Sequence, residues 1–247
     1  MENHSYSQVM GAPYISSLAA QGGVAGNYHA VTHPSLPNYI ALTSGDTQGI
    51  SSDCQPSDCS TGAASIADRL NAAGKSWREY AEDMPSPCYG QDADPYYAKH
   101  DPFVYYTRVT HSGQCASHVV SFDNLAGDLS STASTPDFAF ITPNICNDMH
   151  NCDTGAGDNW LSQHVPQILG SPAFTAQRSL LVVVWDENDG SSGNQVACVF
   201  VGYHVRHGVS SVYYTHYSLL RTFEVALGLQ PLTGNDGNAS PMGSLFN

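Results

Sequence analysis

Basic residues are what the chain has least of. Only 8 Lys and Arg stand against 22 Asp and Glu in 247 residues, a formal net charge of −14, and charged side chains of both signs make up just 12%. Bulk electrostatics therefore argues against nucleic acid or an anionic membrane surface as a partner. No apolar run is long enough to cross a membrane, and no export leader opens the chain. No Gly-x-Ser-x-Gly elbow follows an apolar run, which sets aside an α/β-hydrolase serine enzyme. No Cys-x₂-Cys pair occurs, so the cysteines do not read as a zinc site. Internal repeats and low-complexity tails are also lacking.

The seven cysteines are many for a reducing compartment. Cys54 with Cys59, Cys88 with Cys115 and Cys146 with Cys152 lie in polar, turn-rich loops where short bridges could close. Cys198 falls in an apolar run and reads as a buried free thiol. This usage points to an exported protein.

At this length one α/β domain suffices. Helical periodicity or caps mark residues 13–20, 37–43, 63–73, 122–129, 160–169 and 217–227. Strand character marks 24–31, 77–80, 137–142, 180–185 and 195–201. Alternation of the two predicts a three-layer αβα sandwich around a mostly parallel sheet. Residues 83–117 are long, aromatic and irregular, and read as a substrate-facing lid stapled by a bridge.

The densest chemical signal is Thr32-His33-Pro34-Ser35-Leu36-Pro37-Asn38-Tyr39. It places a hydroxyl at a strand-to-helix turn, where helix N–H groups and the positive dipole end favour an anion. A serine before a helix most often only caps it. Here a second signal accompanies it: the apolar run from Leu180 ends abruptly in Trp185-Asp186-Glu187-Asn188-Asp189. Such runs are central strands, and ligands lie beyond their carboxyl ends.

These segments, with Glu2-Asn3, Asp148-Met149-His150 and Thr215-His216-Tyr217-Ser218-Leu219-Leu220-Arg221, resemble the bacterial phosphoesterase family of the alkaline phosphatase superfamily. That family includes secreted acid phosphatases and phospholipases C. The likeness spans nearly the whole chain and is greatest to the small secreted members acting on phosphatidylinositol 3-phosphate and other monoesters. Family members carry an apolar strand immediately before the Glu-Asn pair. Met1 stands where that strand would end, so an N-terminal strand of the single domain 1–247 is expected to be missing.

The resemblance implies hydrolysis of phosphate monoesters, with Ser35 as nucleophile and a phosphoserine intermediate. Glu2, Asn3, Ser35, Asp186 and Glu187 would form the metal site. An oxygen-only donor set suits Ca²⁺, Mg²⁺ or Mn²⁺ better than Zn²⁺. Asn38 and the helix terminus would hold phosphate oxygens. His150 or His216 would protonate the leaving group, and His33 would protonate it or contact phosphate. Asp148 and Asp158 could orient a histidine or hold a second metal, with Asn144, Arg108 and His4 in reserve. The substrate would be a small phosphate ester or a phosphoinositide headgroup. Phosphodiesterase or phospholipase C chemistry on the same fold is the alternative, as is a non-catalytic phosphate-binding protein.

Overall fold

Leu180-Leu-Val-Val-Val184 is the most apolar stretch of the chain, and its β-branched residues favour extended backbone over helix. In the computed structural model, which describes residues 1–247 apart from the side chain of Ser192, it forms one of seven strands. These are β1 (Gly23–His29), β2 (Trp77–Ala81), β3 (Val119–Ser121), β4 (Phe138–Thr142), β5 (Leu180–Val184), β6 (Cys198–Gly202) and β7 (Gly208–Thr215). The strands make two sheets, ordered β5-β6-β1-β7 and β3-β2-β4. All pairs in the smaller sheet are parallel. In the larger, β1 and β7 run parallel while β6 is antiparallel to both β1 and β5. Strands β1, β5 and β7 consequently share one direction, and their carboxyl ends open at the same edge.

Five helices matter for the site: α1 (Pro13–Gln21), α2 (Ser35–Ser44), α3 (Ile66–Ala72), α4 (Thr154–Leu169) and α5 (His216–Leu227). α1 packs on α4, and α2 packs on α5. Pro13 opens α1, where its missing N–H costs nothing. α2 ends at Gly45 (φ 77°) and α5 at Gly228 (φ 71°), both left-handed positions natural to glycine. α4 begins six residues before its predicted start, because the Asp153 carboxylate caps it by accepting the Ala156 N–H.

Two strands escaped the sequence reading. β3 has only three residues, and β7 is an edge strand whose mixed, mostly exposed residues carry no clear alternation. The expected bridges are all formed, Cys54–Cys59, Cys88–Cys115 and Cys146–Cys152, and Cys198 is free and buried. A cavity of about 460 Å³ lies between the edges of β4 and β5. Phe140, Val182, Trp160 and Phe223 are among its walls, and Met1 stands at one end. No helix is long and apolar enough to cross a membrane.

The 83–117 stretch is stapled by Cys88–Cys115, and its centre is core. Phe103, Val104, Tyr105 and Tyr106 are buried with Ile66, Leu70 and Trp77 in one apolar cluster. Beneath them the carboxyls of Glu79 and Asp101 are completely buried, with the Tyr96 hydroxyl donating to Asp101 at 2.8 Å. Burial, and then the Asp101 charge, hold the Glu79 carboxyl well above its ordinary range. A carboxyl whose pKa is higher in the folded than in the unfolded chain stabilises the fold while it keeps its proton. That stability is full below the ordinary carboxylate range and is lost as pH rises through the folded value. Thermal melts from about pH 5 to about pH 9 should therefore show Tm falling toward alkaline pH, and falling less in Glu79→Gln.

Candidate active site

β1 ends at His29, and the chain crosses residues 30–34 before entering α2 with Ser35 as its first residue. Helix α2 thus starts two residues earlier than its prolines suggest, with Pro34 as the N-cap. The Ser35 hydroxyl makes no capping bond. It donates instead toward carboxylates: Glu2 Oε2 lies at 3.0 Å and Glu187 Oε1 at 3.2 Å, with the Asn3 side-chain amide alongside. The capping role that serine usually plays at this position is thereby set aside.

Each neighbour arrives from a different element. Glu2 is held by its backbone, whose N–H donates to the Asp148 carbonyl at 2.8 Å, and its side chain accepts from the Tyr39 hydroxyl. Asn3 takes φ 42°, a left-handed conformation that asparagine tolerates better than most residues and that often marks a functional site. Asp186 and Glu187 follow directly on β5, and the Asp186 N–H donates to the Met1 carbonyl at 3.0 Å. Glu2, Ser35, Asp186 and Glu187 are all buried. Burial, reinforced by the Glu2 charge, pushes the Asp186 carboxyl well up and Glu187 to about 8. Both Asp186 carboxylate oxygens are buried without a hydrogen-bond partner.

Two buried carboxyls, Glu2 and Glu187, meet the Ser35 hydroxyl, and beside them both oxygens of buried Asp186 are unsatisfied, a cluster that is unstable unless protons or a cation compensate it. Glu2, Asn3, Ser35 and Glu187, with Asp186 next to Glu187, offer oxygen atoms that could hold a divalent cation. Beside them, donor atoms of Glu2, His100 and His150 lie within 4.8 Å of one another. His100 went unnoticed in the sequence, lost in an irregular stretch with no motif around it. It is buried, its Nδ1 meets Asp148 Oδ2 at 2.8 Å, and its Nε2 faces Glu2 at 3.5 Å. Burial pushes its pKa down to about 4, so its ring is neutral, and lifts Asp148 to about 7.

The structure reassigns several residues singled out from sequence. Asn38 is spent on the turn before Ser35. Its carbonyl oxygen accepts the Val31 and Thr32 N–H groups, and its amide donates to the carbonyls of Thr32 and Pro34 and, at 3.4 Å, to Glu187. It braces the loop that leads to Ser35 and has no free donor for a phosphate. His216 lies behind the site, fully buried, with Nε2 donating to the Asp186 carbonyl at 2.6 Å and Nδ1 accepting from Tyr28 at 2.8 Å. With both nitrogens engaged and burial holding its pKa near 4, it cannot hand a proton to a leaving group. Asp158 accepts the N–H groups of Tyr14 and Ile15 and anchors the start of α1, far from any histidine pairing.

Arg108 bonds Asp68 on the surface, and Asn144 ties Asp83 to the turn at Cys146. His4 rests on the Glu2 carbonyl. His33, 43% exposed, places Nδ1 2.7 Å from Glu187 at the site mouth. His150 is brought in as well: Lys99 Nζ meets its Nε2 at 2.9 Å, and Nδ1 meets Asn151.

A hydroxyl at a helix head, met by one carboxyl from the N-terminal segment and one from just beyond β5, is an arrangement suited to nucleophilic chemistry in an open α/β fold. The chain belongs to the phosphoesterase family, whose model matches residues 1–230, and so to the phosphoric ester hydrolases. It is 38% identical to a phosphatidylinositol-3-phosphatase of Mycobacterium tuberculosis, over 99% of this chain and 80% of that protein. It is 33% identical to a phosphate-repressible acid phosphatase of Penicillium chrysogenum, over 94% of this chain and 58% of the fungal one. Among solved structures, a Vibrio parahaemolyticus protein in the alkaline phosphatase superfamily matches with TM-score 0.68 at 12% identity, covering 96% of this chain and 67% of that one. A putative sulfatase from Bacteroides thetaiotaomicron gives TM-score 0.67 at 14% identity, covering 99% and 73%. At these identities the structural likeness establishes the alkaline phosphatase-like αβα fold and nothing finer.

His216→Ala should lower stability by about 2–4 kcal/mol, since it opens a cavity and orphans the Tyr28 hydroxyl. Thermal or denaturant unfolding measures the loss. The pH profile of whatever activity survives should keep its shape, because His216 donates no proton to substrate.

Proposed function

We propose that the protein hydrolyses phosphate monoesters with metal assistance, through a phosphoserine on Ser35. The observation that carries this reading is the Ser35 hydroxyl at the head of α2, bonded to two buried carboxyls instead of to its own helix. Ser35 Oγ attacks phosphorus, forming the Oγ–P bond as the bond to the leaving alcohol breaks. Its proton is already directed at Glu2 and Glu187. Water then cleaves the phosphoserine, releasing phosphate and restoring the hydroxyl.

A divalent cation held by Glu2, Asn3, Ser35, Asp186 and Glu187 would neutralise charge and acidify the hydroxyl. His216 and Tyr28 fix the backbone on which Asp186 sits. Asn38 fixes the loop that delivers Ser35. His33 and His150 stand at the mouth, where protons enter and leave, and His33 already pairs with Glu187. Lys99 and His100 bring the 83–117 segment to the site, and on this reading that segment sets tolerance for a second ester substituent.

The mycobacterial relative points to a phosphoinositide headgroup as one candidate substrate. Export fits the three disulfides. Hydrolysis of p-nitrophenyl phosphate against bis-p-nitrophenyl phosphate tests the reading. Monoester turnover should dominate, fall at least about a thousandfold in Ser35→Ala, disappear with chelator and return with Mg²⁺, Ca²⁺ or Mn²⁺. Preferential diester turnover would move the assignment to a phosphodiesterase. Turnover unchanged in Ser35→Ala would overturn the nucleophile. No turnover of either ester would favour a binding protein.

A further inference from the structure

One carboxylate near Ser35 belongs to neither the strand ends nor the N-terminus. Asp53 sits on an exposed loop just before the Cys54–Cys59 bridge. Its Oδ1 accepts the Leu36 N–H at 3.0 Å, one of the free amides at the head of α2 and the one adjoining the nucleophile. Its Oδ2 accepts from Lys99 Nζ at 3.0 Å. Lys99 also meets His150 and is the one Lys or Arg, among the described residues, that bonds a side chain at the site. A free amide at a helix head and a lone ammonium in an otherwise acidic pocket are the two donors that a phosphate dianion at Ser35 would need. Both are already taken by an anionic oxygen from the chain itself. The pair is part-open to water, with Lys99 14% and Asp53 27% exposed, so breaking it is a modest cost.

We propose that Asp53 occupies the seat of a substrate phosphate, bridging the Leu36 amide and Lys99 as phosphate oxygens would, and that substrate binds by displacing it. This rests on the monoesterase reading of Ser35. Asp53 is then a specificity-determining residue. It sets a threshold: a doubly charged monoester group bridges amide and ammonium more strongly than a carboxylate does, while a singly charged diester or a carboxylate ligand competes poorly. The exposed loop gives the displaced side chain somewhere to go, and the Cys54–Cys59 bridge keeps it close enough to return after phosphate leaves. Lys99, freed from Asp53, becomes the cation that meets the phosphate.

The test measures inorganic phosphate binding by titration calorimetry in a Ser35→Ala background, so that the readout does not depend on turnover. Asp53→Asn and Asp53→Ala should each bind phosphate about two- to fivefold more tightly, the range expected for removing an exposed ion-pair competitor. Lys99→Met should bind it at least about tenfold more weakly. In the Ser35-containing enzyme, the Asp53 variants should lower KM for p-nitrophenyl phosphate more than they change kcat. Phosphate affinity that is unchanged or weakened in both Asp53 variants, with folding verified by thermal melts, would overturn the proposal and make Asp53 a brace for Lys99. Tighter phosphate binding in an enzyme that turns over no monoester would support the Asp53 seat while removing the monoesterase reading. Turnover without tightening would do the reverse.

Discussion

Two carboxyls packed on one hydroxyl, with a third buried beside them, repel one another, and much of the structure serves to hold them there. Left to itself such a cluster would take up protons or spread apart, as the raised pKa values of Asp186 and Glu187 record. It stays together because hydrogen bonds hold the backbone of Glu2, Asp186 and the loop before Ser35 in place. Glu2 hangs from the Asp148 carbonyl, Asp186 from Met1 and His216, and Ser35 from a loop pinned by Asn38. Those ties come from the carboxyl ends of β1, β4, β5 and β7, so the pocket can loosen only if the sheets shift against each other. A site of this kind is assembled by the whole fold and by no single loop.

That dependence explains which parts of the site could be seen in sequence. Strand ends are legible because an apolar run such as 180–184 stops abruptly at Asp186-Glu187, and the hydroxyl before α2 is legible because prolines crowd the helix start. Glu2, Asn3 and Glu187 do meet Ser35 in the structure, and Asp186 is next to Glu187. The histidines were harder. A histidine in a recognisable motif can face the ligand or stand behind the residue that does, and local sequence is the same in both cases. His216 stands behind, because α5 starts directly on the end of β7 and aims its first side chain back into the sheet, toward Tyr28 and the Asp186 carbonyl. Asn38 was misassigned for a related reason. One turn into α2 it can reach outward to a ligand or back to the loop, and four backbone groups of residues 31–34 draw it back.

His100, Lys99, Tyr39 and Asp53 show the opposite failure. They reach the site from residues that carry no periodic signal, through contacts between positions as far apart as Glu2 and His100 or Leu36 and Asp53. Long irregular segments are a reasonable place to look for function, but their composition does not say which side chain turns inward. For 83–117 the deciding factor is its aromatic content. Phe103, Tyr105 and Tyr106 are too apolar to stay in water, and burying them against Ile66 and Trp77 draws the adjoining Lys99-His100 pair to a fixed position. Hydrophobic packing of the segment, combined with the Cys88–Cys115 bridge, thus does for the second half of the site what the strands do for the first.

An acidic enzyme acting on an anionic substrate faces a long-range field of the wrong sign, and short-range devices must overcome it. With 8 basic residues in the whole chain, broad electrostatic steering is not available. The remaining means are any cation that the oxygen-lined pocket would hold, the N–H groups at the head of α2, and Lys99. All three act only over contact distances. Discrimination then depends on how well a ligand satisfies them together, and a carboxylate already resting on two of the three raises the standard that an incoming anion must meet. Scarcity of positive charge, which looks unfavourable for a phosphoesterase at the level of composition, becomes a source of selectivity once the few cationic and N–H donors are placed so close to the nucleophile.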